Sequence, residues 1–294
     1  MSISKLGVIG TGTMGNGIAQ VAALTGLDVI AIDIKDEFLE RAKGTIGKNL
    51  GRMVKKEKIS QEDFDAAVSR INFTTDFDAV KDAEFIVEAA TENKQVKFDL
   101  FTKLDEIANP DVILASNTST ISVTEIAANT KRADKVIGMH FMNPVPMMKL
   151  VEVINGMSTS DETYQVVDEL AKKMGKTPIL VNDYPGFVAN RILLPMINEA
   201  VYALMEGVAG VEEIDGVMKL GMGHPMGPLR LADLIGNDVN LAIMEVLHDG
   251  LGDSKYRPCP LLKKMVAGGF LGNKTGIGFY DYREDPRNPV ARKF

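Results

Sequence analysis

Cysteine and histidine are the scarce residues of this chain. Its 294 residues include one cysteine, Cys259, three histidines, His140, His224 and His248, and no tryptophan. A single cysteine excludes a disulfide framework within the chain and, with so few histidines, argues against a cysteine-based zinc site. No metal is expected, and any alcohol oxidation here is expected to proceed without a zinc Lewis acid. Net positive charge is missing too. The formal charge is −7 and the pI near 5.2, the wrong sign for a general nucleic-acid or membrane-surface binder, which needs a basic surface. No apolar run approaches the roughly 20 residues of a membrane span. Strand-like sequence begins by Lys5, which leaves no room for a signal or transit peptide. The expectation is a soluble, cytoplasmic protein, with no nucleic-acid or membrane partner, that handles small molecules.

Short β-rich apolar runs alternate with helix-period segments through the first two thirds of the chain: Leu6–Ile9, Val29–Ile32, Phe85–Ala89, Val112–Ala115, Val136–Met139, Leu150–Ile154 and Ile179–Val181. That alternation predicts a doubly wound, mostly parallel sheet with helices on its faces. Val96, Leu100, Leu104, Ile107 and Ala108 read as one helical stripe, and Tyr164, Val167, Leu170, Ala171 and Met174 as another. Ser122 with Glu125, and Thr159 with Glu162, have capping-box spacing. Tyr184-Pro185-Gly186 interrupts the pattern. Beyond it the chain reads as helical: a long helix from about Phe187 to Glu206 containing Pro195, then helices near 211–220, 229–249 and 260–267. The fold class is therefore α/β, a Rossmann-type sheet domain over residues 1–184 followed by an all-α domain over 185–294. An inserted helical pair occupies about 37–70. The many apolar positions of the second domain fit either a dimer interface or burial against the chain's own sheet domain.

The turn Gly10-Thr11-Gly12-Thr13-Met14-Gly15 follows the first strand and opens a helix. By itself a GxGxxG is weak evidence, but its context gives each glycine a task. Gly10 permits the tight turn, Gly12 admits the backbone to a pyrophosphate, and Gly15 lets the helix pack closely, so its amino terminus meets the phosphates. The second strand ends at Asp33, where a carboxylate can accept hydrogen bonds from ribose hydroxyls and would repel a 2′-phosphate. NAD is preferred over NADP, with Lys35 as the nearest opposing charge. A glycine-rich turn that binds nothing is the alternative reading.

Substrate is expected beyond the carboxyl ends of the later strands. Ser116-Asn117-Thr118-Ser119, His140-Phe141-Met142-Asn143-Pro144 and Glu152 fall there. Singly, each has an innocent explanation as a cap, a structural histidine or an ion-pair member. Together they offer a base, His140, whose tautomer an adjacent carboxylate, Glu152, would fix. A hydroxyl and an amide, Ser119 and Asn190, suit the changing charge on a substrate oxygen. The expected cofactor-binding set is Gly10, Gly12, Thr13, Met14, Gly15, Asp33, Asn117 and Ser119.

Five stretches, ASNTS at Ala115–Ser119, HFMNPVP at His140–Pro146, KLVEV at Lys149–Val153, PGFVANR at Pro185–Arg191 and KTGIGFY at Lys274–Tyr280, resemble the motifs of the L-3-hydroxyacyl-CoA dehydrogenase family in order and spacing. The resemblance covers essentially the whole chain. It implies reversible oxidation of an (S)-3-hydroxyacyl-CoA with NAD, with His140 as base, Glu152 as its partner, and Ser119 and Asn190 about the substrate oxygen. It further implies that Glu92, Lys97, Asn143 and Lys274 line the cofactor site and that the helical domain forms a homodimer. The stand-alone chain is similar to the short-chain bacterial members, which implies 3-hydroxybutyryl-CoA and acetoacetyl-CoA as the substrate pair. In the inserted helices, Arg41, Lys43, Lys48, Arg52, Lys55, Lys56 and Lys58 form a basic run in an acidic protein. The resemblance points to Arg52 and Lys56 as contacts for CoA, against a merely solvated charged face.

Rival readings are a 3-hydroxy acid dehydrogenase of the 6-phosphogluconate type and a non-catalytic NAD-binding relative. The first uses a lysine on the long interdomain helix, where this chain has Asn190 and Arg191; the second needs no matched base and acid. A thiol mechanism is disfavoured because Cys259 lies between Pro258 and Pro260, far from the proposed site.

Overall fold

β-Branched runs short enough to cross a single sheet, separated by segments with a helical stripe, have one economical packing, an open sheet covered on both faces. The computed structural model describes residues 3–294 and builds that arrangement in a first compact unit ending at Tyr184. Its elements are β1 (Lys5–Ile9), α1 (Thr13–Leu24), β2 (Asp28–Ile32), α2 (Asp36–Lys55), α3 (Gln61–Ser69), β3 (Ile71–Thr74), β4 (Phe85–Glu88), α4 (Lys94–Ile107), β5 (Ile113–Ser116), α5 (Val123–Ala127), β6 (Val136–Phe141), β7 (Leu150–Asn155), α6 (Asp161–Lys173) and β8 (Thr177–Asn182). The strands lie in the order β3-β2-β1-β4-β5-β6-β7-β8. All neighbours are parallel except β6 and β7, which pair antiparallel. The order reverses at β1, between β2 and β4, so the carboxyl ends of β1 and β4 flank the crevice where such folds bind ligands. Leu6, Val8, Phe85, Val87, Ala115, Ile137 and Met139 are buried in one core with Ile18 and Ala22 of α1 and Val167 and Leu170 of α6.

The sheet gains a strand that the sequence pattern does not announce. β3 is four residues, Ile71-Asn72-Phe73-Thr74, at the sheet edge with only Ile71 fully buried, so it lacks the apolar run that identifies the inner strands. The helix stripe read in α4 is also rotated. Its buried residues are Lys97, Phe101 and Leu104, whereas Val96 is 50% exposed. A lysine normally marks the solvent face, but Lys97 has a carboxylate partner inside. That partner turns the helix so that Phe101 enters the core. The cap of α6 is Ser160, whose side chain accepts from Thr163 N, in place of the expected Thr159–Glu162 box. Thr159 instead donates its hydroxyl to Val136 O at 2.6 Å. Ser122 caps α5 as expected, but Glu125 pairs with Lys94 at 2.7 Å and does not close a box.

The second unit, Pro185–Phe294, contains α7 (Ala189–Met205), α8 (Val211–Leu220), α9 (Pro228–Ile235), α10 (Asn237–Leu251) and α11 (Pro260–Ala267), with a small antiparallel pair of two-residue strands, β9 (Tyr280–Asp281) and β10 (Val290–Ala291). It is thus helical, with that one short pair beside its helices. The single helix expected over 229–249 is broken at Gly236, whose φ of 106° lies outside the range of a helical residue. The break serves a buried carboxylate. Asp233 accepts from Phe279 N, Tyr280 N, Asn237 Nδ2 and the Tyr282 hydroxyl, and burial raises its pKa above the usual carboxylate value. Among the described residues no helix is long and apolar enough to cross a membrane.

Candidate active site

The glycine turn is built from close approaches that only glycine allows. Gly10 has φ of 88°, and a Cβ there would lie 2.5 Å from Ala90 Cα; one on Gly15 would lie 1.8 Å from the Gly10 carbonyl oxygen. Nothing stands within 4 Å of the place a Cβ would take on Gly12. Gly12 is the N-cap of α1 and provides no side-chain cap, so the first-turn N–H groups around Thr13 and Met14 keep their capacity to meet an anion. Asp33, just beyond β2, holds the turn from the other side: its Oδ2 accepts from Thr11 N at 2.7 Å and from the Thr11 hydroxyl at 2.8 Å, and its Oδ1 from Ile34 N at 2.8 Å. The carboxylate expected to meet a ribose therefore also fastens the turn.

A cleft of about 820 Å³ opens beside this turn, lined by Gly10, Gly12 and Asp33 and by Phe38, Phe77, Val96 and Leu100. The apolar residues of α4 that do not enter the core thus face the cleft. These features fit a dinucleotide: an open glycine over a helix start for the pyrophosphate, a carboxylate for a ribose, and apolar walls for a flat base. Arg41 also lines the cleft, but Glu37 neutralises it at 3.0 Å.

Next to the cleft-lining Ala90 is a carboxylate that sequence reasoning missed. Glu88, fully buried at the end of β4, accepts from Lys97 Nζ at 2.5 Å and from the Ser116 hydroxyl at 2.8 Å, while its other oxygen accepts from Ala90 N at 2.9 Å. Its signal was an acid inside the apolar run Phe85–Ala89, as Glu152 is inside Leu150–Ile154. Lys97 is 2% exposed; it holds Glu88 and stands 3.8 Å from Glu92. Glu92 in turn accepts from Ser119 N and, at 3.2 Å, from the Thr118 hydroxyl. Asn117 donates its backbone N–H to Glu88 O and accepts from Phe141 N at 2.9 Å. The ends of β4, β5 and β6 are therefore laced together through the residues expected around cofactor and substrate.

His140 and Glu152 face each other across the antiparallel β6–β7 pair, in direct register. His140 Nδ1 lies 2.8 Å from Glu152 Oε2, and both residues are buried. With a carboxylate accepting from Nδ1–H, the neutral imidazole carries its lone pair on Nε2, the arrangement a general base needs. Asn143, on the β6–β7 loop, lines a smaller groove of about 300 Å³ with Thr11, Gly12, Thr13, Arg41, Thr45 and Asn49. Arg52 is exposed in the last turn of α2, and Lys56 is exposed at its C-cap. Asn190 and Lys274 belong to the second unit: Asn190 stands in the first turn of α7, and Lys274 pairs with Asp238 at 2.5 Å.

An anion cradle and an acid–base pair at one sheet edge are the equipment of a dinucleotide-linked dehydrogenase, because hydride and proton leave the same carbinol. The particular family follows from comparison. Residues 5–184 match the family described as 3-hydroxyacyl-CoA dehydrogenase, NAD binding domain, and residues 186–282 match 3-hydroxyacyl-CoA dehydrogenase, C-terminal domain. The chain belongs to the 3-hydroxyacyl-CoA dehydrogenase family, an NAD-dependent oxidoreductase family. It is 59% identical over 278 residues to a probable 3-hydroxybutyryl-CoA dehydrogenase of Deinococcus radiodurans, covering 95% of this chain and 100% of that one. It is 53% identical to a 3-hydroxybutyryl-CoA dehydrogenase of Bradyrhizobium diazoefficiens, covering 96% of each. Among solved structures, it resembles (S)-3-hydroxybutyryl-CoA dehydrogenase from Ralstonia eutropha with a TM-score of 0.92 at 52% identity, covering 94% of this chain and 98% of that one.

The glycine geometry gives a direct test. Gly15→Ala is expected to force α1 off the turn and weaken NADH binding by about a hundredfold or more while the sheet still folds; fluorescence titration with NADH, beside circular dichroism, measures both.

Proposed function

We propose that this chain is a cytoplasmic homodimer that interconverts (S)-3-hydroxybutyryl-CoA and acetoacetyl-CoA with NAD, using His140 as general acid and base. The observation that carries the mechanism is the buried His140–Glu152 pair at the carboxyl edge of the sheet. The substrate comes from the names of relatives that match this chain over nearly its full length.

In the oxidation direction, Nε2 of His140 accepts the C3 hydroxyl proton. The imidazolium so formed is stabilised by Glu152, whose carboxylate stays ionised and holds Nδ1–H. When bound, NAD supplies the acceptor for the C3 hydride. The Ser119 hydroxyl steadies the substrate oxygen as it changes from alcohol to ketone, and the family resemblance gives Asn190 a part in the same task. In reduction His140 returns the proton. Arg52 and Lys56 are assigned to the phosphates of CoA. Both are exposed, one helical turn apart, and among the described residues neither has a carboxylate within ion-pair distance, unlike Arg41 and Lys43 on the same helix. Homodimerisation is supported by the apolar residues the helical unit leaves exposed, Ile192, Val217, Leu220, Met222 and Leu234, with Leu220 90% exposed.

His140→Gln is expected to keep NADH binding and to lower acetoacetyl-CoA turnover by at least about a hundredfold, the loss typical of a removed acid–base group. The assay follows NADH absorbance with acetoacetyl-CoA and, in parallel, with free acetoacetate. Near-normal turnover in the variant removes His140 from the mechanism, and no wild-type turnover of the thioester overturns the substrate. The double variant Arg52→Glu, Lys56→Glu should raise KM for acetoacetyl-CoA by about tenfold or more through repulsion of phosphate, with the NADH constant unchanged. An unmoved thioester KM would return these residues to the solvated face. Sedimentation equilibrium should give twice the chain mass of 31.9 kDa, and substitution of Leu220 by Asp should give that mass once.

A further inference from the structure

Lys176 is a buried ammonium that the mechanism above does not use. It is 9% exposed and, among the described residues, has no carboxylate within ion-pair distance; burial lowers its pKa from the ordinary lysine value. Such a charge is costly to hide unless its donors are matched. Here they are matched by main-chain oxygens of the β6–β7 loop: Nζ donates to Val145 O and, at 2.8 Å, to Met148 O. The lysine's own backbone is fixed from both sides. Gly175, with φ of 69°, ends α6, Lys176 N donates to Ala171 O at 2.9 Å, and Thr177 N donates to Lys149 O at 2.7 Å as β8 begins.

The loop held in this way lies against the start of α1. Val145 is buried, and a Cβ on Gly17 would come within 2.8 Å of the Val145 Cβ. Asn143, Pro144, Val145 and Pro146 form one wall of the groove whose other wall includes Thr11, Gly12 and Thr13 of the glycine turn. Loosening the loop would therefore move a wall of the cofactor site. It would not move the acid–base pair, because His140 and Glu152 are secured by the strand pairing from Gly138↔Ile154 to Phe141↔Val151.

We propose that Lys176 is a positioning residue of the cofactor site: through two loop carbonyls it clamps the β6–β7 connection onto the phosphate-binding end of α1. The inference rests on the NAD-dependent reading of the chain but not on the identity of the substrate.

The test compares Lys176→Met with the wild type by NADH fluorescence titration and by steady-state reduction of acetoacetyl-CoA. Loss of two charge-assisted bonds to the loop is expected to raise the NADH Kd and KM by about tenfold while kcat stays within about threefold. Lys176→Arg, which keeps a charged donor, should restore at least part of the affinity. A merely structural lysine would lower Tm and leave the Kd of the folded protein unchanged, and that result overturns the proposal. So does a fall in kcat with Kd unmoved. If the methionine variant does not fold, Lys176→Gln, which retains one neutral donor, should show the same split at about threefold in Kd, and an unchanged Kd there is equally decisive. Failure of the wild type to reduce acetoacetyl-CoA would overturn the substrate assignment alone, since the NADH titration still decides the role of Lys176.

Discussion

Carboxylates stationed along the carboxyl edge of the sheet must each be matched by donors, and much of the site is the consequence. A buried carboxylate without partners is strongly destabilising, so each acid here draws specific groups to itself. Asp33 takes the Thr11 N–H and hydroxyl and thereby fixes the glycine turn. Glu88 takes Lys97, Ser116 and the Ala90 N–H, joining β4, β5 and the start of α4. Glu152 takes His140. The glycine turn, the joined ends of β4 and β5 and the imidazole of the proposed base are thus each set by a charge-matching requirement on the same sheet.

The reversal at β7 is what brings His140 to Glu152. In an all-parallel sheet, neighbouring strands are separated by a crossover of a dozen residues or more, usually a helix, and residues twelve apart would not meet. The loop from Met142 to Lys149 is too short for a crossover, so β7 returns antiparallel and Glu152 lands opposite His140. Side-chain alternation then fixes the pair, since a slip of one residue would send Glu152 to the other face. The same short loop supplies Asn143 to the groove by the glycine turn. Acid–base pair and cofactor wall are therefore parts of one hairpin.

Strands, turn and pair were legible because they are local. β1, β2 and β4 to β8 carry apolar runs, the glycine turn carries its own steric logic, and His140 and Glu152 sit at readable strand positions. What escaped depended on partners distant in sequence. The burial of Lys97 against Glu88, nine residues before it, is not in the apolar stripe read for α4, and it shifts the whole phase of that helix. β3 is an edge strand without an apolar run. The break at Gly236 answers Asp233, whose partners Phe279 and Tyr280 lie more than forty residues later. Lys176 gave no signal, because its acceptors are carbonyls and every residue has one.

An imidazole–carboxylate pair beside a dinucleotide turn would serve many secondary alcohols, so the selection of a CoA thioester must come from elsewhere in the chain. The distribution of charge along α2 points to where. In its first half the cations are internally matched, Arg41 by Glu37 and Lys43 by Glu40, and exposed pairs of this kind are close to neutral in both charge and energy. In its second half and at its C-cap, Lys48, Arg52 and Lys56 follow at intervals of four, exposed and, among the described residues, without acidic partners. They lie along the ridge next to Thr45 and Asn49, which line the groove shared with Asn143 and the glycine turn. A face that was only solvated would gain from the interleaved acids that the first half of the helix has. An unbalanced cationic ridge beside the site, on a chain of net charge −7, is instead the arrangement that a polyanionic carrier such as CoA requires. On the proposed function, the carbinol chemistry falls to the β6–β7 hairpin, and recognition of the thioester to the helix inserted after β2.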